Sequence, residues 1–262
     1  MAGRDRSYER DGVRMAFTDT PGPGGCTFVL IHGIGMGRVV FSGVGERLAG
    51  RGRVLAPDLP GFGDSPEPGT RTSLEDSARF IARFIREEAR EPVVLVGHSM
   101  GTQIAAEVAL RQPELVRGLV LIAPTVNRRE RSAIRQALRM VQDTAGEGPK
   151  VLLTGLAEYV KTSPAWFLNK LRFMLAHRLE DICPRIGTPA LVLRGETDRV
   201  CPRDWTGEIA AALPHGRMLE IPGRGHEAII KSPEPVASMI LEFTDELDAT
   251  EQSRHRDGGT GR

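Results

Sequence analysis

Short apolar runs alternate along the chain with stretches of helical period, and that alternation predicts an α/β protein. The candidate strands are residues 14–18, 27–31, 53–57, 92–96, 118–123, 190–194 and 218–221. Within them FVLI, VVLV, LVLI and LVL are unbroken apolar runs without polar alternation, as expected of strands covered on both faces by helices. The intervening stretches supply the cover. Thr72-Ser73-Leu74-Glu75 reads as a capping box, with Thr72 and Glu75 each satisfying a free backbone N–H, and Leu74, Ala78, Ile81 and Ile85 follow on one face. Another helix follows Ser99, with Ile104, Ala105, Val108 and Ala109 at helical spacing, and stops at Pro113. Together these elements predict a mostly parallel, doubly wound sheet.

One interval breaks the rhythm. Between 127 and 184 no strand-like run occurs; instead come amphipathic pieces at 134–141, 152–160 and 166–179. Gly146, Gly148 and Pro149 separate the first two, and Ser163-Pro164 the last two. The expected organisation is therefore a core over 1–125 and 187–248, with a helical cap over 126–186 inserted between two late strands. The polar, aperiodic residues 249–262 are expected to form a disordered tail.

Composition narrows the function classes. At 262 residues the chain can bury a large core, and 40% hydrophobic with 26% charged residues is ordinary for a soluble protein. A formal net charge of +1 offers no field to gather nucleic acid or an anionic membrane, and neither is expected as a partner. The charged start MAGRDRSYERDG lacks the apolar stretch of a signal peptide, and no run approaches the roughly 18 apolar residues of a membrane span. Cys26, Cys183 and Cys201 are odd in number and far apart, which fits a reducing cytoplasm better than a disulfide framework. No ligand set has zinc-like spacing, so neither metal nor organic cofactor is expected; the expected partner is a small-molecule substrate, and oligomeric state is not specified.

The chemistry gathers around Gly97-His98-Ser99-Met100-Gly101, directly after the strand PVVLV and directly before a helix. A serine on so sharp a strand-to-helix turn needs a strained backbone, and side chains two positions either side would collide as the two elements converge. A serine hydroxyl is a poor nucleophile without an adjacent base. His226, in the loop GRGH after the last strand, is the candidate base. The other histidines read as structural: His98 beside the serine, His32 holding its loop, His177 in the insertion, His215 in a turn and His255 in the tail. The carboxylate that orients the imidazole is expected to be Asp198, beyond the end of ALVLR, with Glu196 as competitor. An oxyanion needs backbone N–H donors, for which the candidates are Met100, the residue after the nucleophile, and Ile34, in the glycine-rich loop HGIGMG.

The strings LIHGIGMG, APDLPGFGDS, VLVGHSMGTQIA, GETDRVCP and GRGHE, in that order, resemble the α/β-hydrolase superfamily over about residues 14–244. More narrowly the chain is similar to its capped esterase and carbon–carbon hydrolase members. The resemblance implies the α/β-hydrolase fold, with the triad in the chain order Ser99, Asp198, His226. A serine at the elbow departs from the epoxide hydrolases and haloalkane dehalogenases, which place aspartate there. Hydrolases of ring-cleavage products often carry Asn before the serine and Trp after the histidine; this chain has His98 and Glu227, which favours ester hydrolysis. The expected reaction is cleavage of a small apolar or aromatic carboxylic ester through an acyl-enzyme. Alternatives are carbon–carbon hydrolysis of dienoates, a cofactor-free lyase or cyclase, and a ligand-binding receptor with a vestigial triad. Met140, Leu153, Trp166, Phe173 and Met174 in the cap are candidate pocket walls, or else pack the cap helices together.

Overall fold

The computed structural model describes residues 3–144 and 161–258. Eight strands form one sheet: β1 (Arg4–Arg10), β2 (Val13–Thr20), β3 (Thr27–Ile31), β4 (Arg53–Pro57), β5 (Val93–His98), β6 (Val116–Ile122), β7 (Ala190–Gly195) and β8 (Gly216–Ile221). Their order across the sheet is β1-β2-β4-β3-β5-β6-β7-β8. Pairing is parallel from β4 to β8, while β2 is antiparallel to both β1 and β4. The helices are α1 (Ser42–Leu48), α2 (Leu74–Phe84), α3 (Met100–Arg111), α4 (Ala133–Thr144), α5 (Pro164–Ala176), α6 (Leu179–Ile182), α7 (Arg203–Ala212), α8 (Ala228–Lys231) and α9 (Pro233–Gly258).

The unbroken apolar runs do what continuous hydrophobicity demands. Every residue of β3, β5 and β7 is buried, and successive side chains enter opposite layers. Val29, Ile31, Leu95, Leu119, Leu121 and Val192 pack with α2, α3 and α7. Phe28, Leu30, Val94, Val96, Val120, Ile122, Leu191 and Leu193 pack with α1 and α9 on the other face. Parallel pairing means that β3, β5, β6, β7 and β8 all finish at one edge of the sheet, where the loops bearing His32, Ser99, Asp198 and His226 emerge.

Three local differences from the sequence expectation have physical causes. Strand β1 was hidden because only Tyr8 is buried among its charged residues; the hairpin turns through Asp11 and Gly12, both at positive φ (51° and 74°). The capping box sits one residue later than Thr72/Glu75: Ser73 Oγ accepts from Asp76 N (3.1 Å) while Asp76 Oδ2 accepts from Ser73 N (2.9 Å). Thr72 is diverted to accept from the Lys170 ammonium (2.8 Å). The third is the C-terminal segment. No disordered tail begins at Ala249; α9 continues to Gly258. Ion pairs of Arg117 with Asp248 and Glu251 carry the helix beyond Leu247, where its buried apolar face ends.

Among the described residues between β6 and β7 the chain forms α4, α5 and α6. The amphipathic piece expected at 166–179 is interrupted: α5 ends at Ala176, and α6 begins afresh at Leu179. The piece at 152–160 lies outside the described residues.

The corrected cap is directly testable. Ser73→Ala should lower the unfolding free energy by about 1 kcal/mol, the usual value of an N-cap hydroxyl, whereas Glu75→Gln should stay within about 0.5 kcal/mol. Urea denaturation of both variants measures the difference.

Candidate active site

Ser99 stands between β5 and α3 with φ 53° and ψ −120°, a left-handed conformation that a residue with a side chain adopts only when its surroundings enforce it. The enforcement is steric and hydrogen-bonded. A Cβ on Gly97 would lie 2.4 Å from the Gly101 carbonyl oxygen, and one on Gly101 would lie 2.2 Å from that of Ile31. The Ser99 N–H donates to Ile122 O (3.0 Å), and the Ser99 carbonyl accepts from the Thr102 hydroxyl (2.6 Å).

His226 arrives from the loop after β8. Its Nδ1–H donates to Asp198 Oδ2 (3.0 Å), and Nε2 lies 3.2 Å from Ser99 Oγ, placed to accept the hydroxyl proton. Only 1% of His226 and 3% of Asp198 is exposed, so this pairing takes place almost without water. Burial alone would lower the His226 pKa, but the adjacent Asp198 carboxylate outweighs it and holds the imidazole well above its usual 6.5. Asp198 is fixed in turn, because its Oδ1 accepts from the N–H groups of Val200 and Cys201 (2.8 Å each). Glu196, the competing acid, is exposed and accepts from Gly223 N (2.7 Å), tying the acid loop to the histidine loop.

Arg194, inside the run ALVLR, was not singled out in the sequence. It is 4% exposed and donates to the carbonyls of Cys201 (3.0 Å), Glu196 (3.1 Å) and Asp198 (3.2 Å), with Glu220 as counter-ion. The loop that presents Asp198 is thus wrapped around a guanidinium. A charged residue at the end of an otherwise apolar strand was the available signal. Cys201 was also missed; its thiol donates to Pro124 O (3.3 Å) and its Sγ lies 4.0 Å from His226 Nδ1.

Two histidines hold backbone, as the sequence reading expects. His32 Nε2 accepts from Leu59 N (2.8 Å), which puts the ring proton on Nδ1, where it donates to Gly33 O (2.7 Å). His98 Nε2–H donates to the carbonyl of His226 itself (3.1 Å); complete burial, then the nearby His226, push its pKa down to about 3. The His32 loop lies against the nucleophile elbow, since a Cβ on Gly33 would be 3.1 Å from Ser99 Cβ. Ile34 follows in that loop, half-buried, and Met100 opens α3, where an N–H has no carbonyl one turn behind it.

The five candidate pocket residues between β6 and β7 divide. Trp166 and Met174 are buried in the same apolar cluster as Met100, and Phe173 is partly buried against it. The Trp166 indole lies over Gly61, where an added Cβ would be 2.0 Å from Nε1. Met140 falls in α4, but its side chain lies outside the described residues, as does Leu153 altogether. Lys170 pins α5 to the start of α2, donating to Thr72 O (2.9 Å), Thr72 Oγ1 (2.8 Å) and Ser77 Oγ (3.0 Å). From α3, Gln103 Nε2 donates to Met174 O (2.9 Å), and Glu107 accepts from His177 Nε2 (3.0 Å).

The profile of the alpha/beta hydrolase family matches residues 28–239. A pimeloyl-[acyl-carrier protein] methyl ester esterase of Yersinia enterocolitica is 24% identical over 257 residues, covering 88% of this chain and 98% of that protein. Among solved structures, a thermophilic esterase from Thermogutta terrifontis superposes with a TM-score of 0.79 at 23% identity, covering 94% of this chain and 99% of the other. A serine hydrolase involved in carbazole degradation gives 0.79 at 23%, covering 93% and 99%.

The raised His226 pKa has a sign that can be checked. A histidine acting as base must be neutral, so kcat/KM should climb with pH along a limb centred above the usual 6.5. Asp198→Asn removes the charge that raises it, so the remaining activity should have its limb shifted to lower pH. Rate profiles of both proteins on one ester give the comparison.

Proposed function

The chain belongs to the alpha/beta hydrolase family, and from that premise we propose that it hydrolyses small carboxylic esters with an apolar or aromatic group, through an acyl-enzyme on Ser99. The observation that carries this reading is the buried hydrogen-bonded line from Asp198 through His226 to Ser99 Oγ. The methyl ester esterase activity named for the Yersinia relatives supports an ester as the bond cleaved.

In this reading Ser99 Oγ attacks the ester carbonyl while His226 Nε2 takes its proton. The imidazolium forms against the Asp198 carboxylate, whose second oxygen is held by Val200 and Cys201 and cannot swing away. The backbone N–H groups of Met100 and Ile34 receive the oxyanion; a donor of this kind typically contributes about 3 kcal/mol to the barrier reduction. His226 gives its proton to the departing alcohol, then takes one from water, which releases the acid by the same route. The strained turn at Ser99 contributes by holding Oγ clear of the helix that follows. Nucleophile, base and oxyanion donors all come from the chain.

Ser99→Ala should lower kcat by several orders of magnitude, with Tm within a few degrees of wild type and no labelling by a fluorophosphonate probe. Asp198→Asn should be severely impaired. Glu196→Gln, which keeps an acceptor for Gly223 N, should stay within a few-fold. Reversal of the last two would assign the acid to Glu196.

Specificity is expected from the cap. Across p-nitrophenyl esters of graded length, Met174→Ala should shift the preferred chain length and leave the acetate ester within about tenfold, since each methylene in an apolar pocket counts for about 1–3 kcal/mol. Uniform slowing of the whole series would mean that Met174 only supports packing. A ring-cleavage dienoate assayed alongside tests carbon–carbon cleavage.

A further inference from the structure

Three side chains converge on the side of His226 that faces away from Ser99. Nδ1 of His226 has Asp198 Oδ2 at 3.0 Å and Cys201 Sγ at 4.0 Å, and one donor atom from each residue falls within 4.8 Å of the others. In a tetrahedral zinc site, with Zn–N about 2.0–2.1 Å and Zn–S about 2.3 Å, such donors sit about 3.3–3.6 Å apart. Adjustments of about an ångström would bring all three onto one ion. Asp198 has an oxygen to give, because Val200 and Cys201 N–H bind only Oδ1. From the position of the Nδ1 hydrogen and its two neighbours, we infer that this cluster is an inhibitory site for Zn²⁺, a borderline-soft ion suited to imidazole, thiolate and carboxylate together. This inference rests on the proposed triad for its effect on activity, but not for binding.

The balance of the step explains the inhibition. The ion takes the Nδ1 lone pair, and the neutral ring keeps one proton, now on Nε2. The Cys201 thiol releases its proton to solvent; no electrons are transferred. One carboxylate and one thiolate then match the two charges of the ion, so the occupied buried site carries no net charge. The consequence falls on the opposite nitrogen. Nε2, 3.2 Å from Ser99 Oγ, becomes a donor and cannot accept the serine proton. Zinc therefore stops the reaction without touching the nucleophile or the substrate.

The experiment uses the full chain, freed of metal with a chelator and dialysed. Rates on p-nitrophenyl acetate are measured against added Zn²⁺, each variant relative to its own zinc-free rate, and Co²⁺ is titrated as a spectroscopic probe of thiolate ligation. Wild type should be inhibited, with activity returning on excess chelator, and should show a cobalt–thiolate charge-transfer band. Cys201→Ser keeps a hydroxyl for Pro124 O but loses the soft ligand; it should need at least about tenfold more zinc and should lack the band. A folded wild type indifferent to both ions overturns the inference, as does equal inhibition of Cys201→Ser. So does a sensitivity abolished by His177→Asn, which would move the ion to the cluster of Glu75, Glu107 and His177. A wild type with the band but no ester hydrolysis would remove the proposed function and leave the metal site in place.

Discussion

Asp198 and His226 form a carboxylate–imidazole pair with almost no contact with water, and a buried charge persists only where hydrogen bonds replace the solvent it has lost. Much of the architecture around β7 and β8 answers that requirement. Two N–H groups hold one carboxylate oxygen, His226 holds the other, and Arg194 gathers the carbonyls of the same loop into a ring. The histidine loop is locked to the acid loop where Gly195 meets it, since any Cβ there would lie 2.2 Å from Arg224 O and 2.3 Å from Gly225 O. Thr197 N–H to Arg224 O (2.8 Å) and the Glu196 carboxylate to Gly223 N complete the seam. The two loops are thus joined by close packing and hydrogen bonds at the ends of adjacent parallel strands.

Ser99 is mounted separately, by β5 and α3, and it meets those loops only because β5, β6, β7 and β8 are in register and end together. His98 links the halves directly. It sits beside Ser99 in sequence and donates to the backbone of His226, so the turn at Ser99 and the His226 loop are joined through one buried, neutral ring.

Legibility in the sequence follows from how local each constraint is. Gly97 and Gly101 are readable because two backbones converge there and only glycine fits. The positions of β2–β8 along the chain and the helical stretches after β6 are readable from apolar period alone. The capping box is displaced because Thr72 and Ser73 are adjacent hydroxyls, Glu75 and Asp76 adjacent acids, and the choice between them is made by Lys170, almost a hundred residues away. Strand β1 is obscured because an edge strand tolerates charge, and only Tyr8 reports its inward face. Arg194 and Cys201 act through carbonyls and rings brought together from other strands, and no spacing announces such contacts. The apolar residues of α5 are likewise visible as a stripe, but a stripe does not announce that Trp166 lies against Gly61.

Part of the grip on the segment between β6 and β7 is a grip on main chain. Gln103 reaches the carbonyl of Met174, and Arg131 reaches those of Leu175 and His177. A carbonyl oxygen is present whatever side chain its residue bears. Substitutions along α5 other than at Trp166 and Lys170 leave those attachments in place, while the loops bearing Asp198 and His226 rest on strands that the substitutions do not touch. Such an arrangement lets the side chains of that segment vary while its backbone stays tied to α3 and to Arg131.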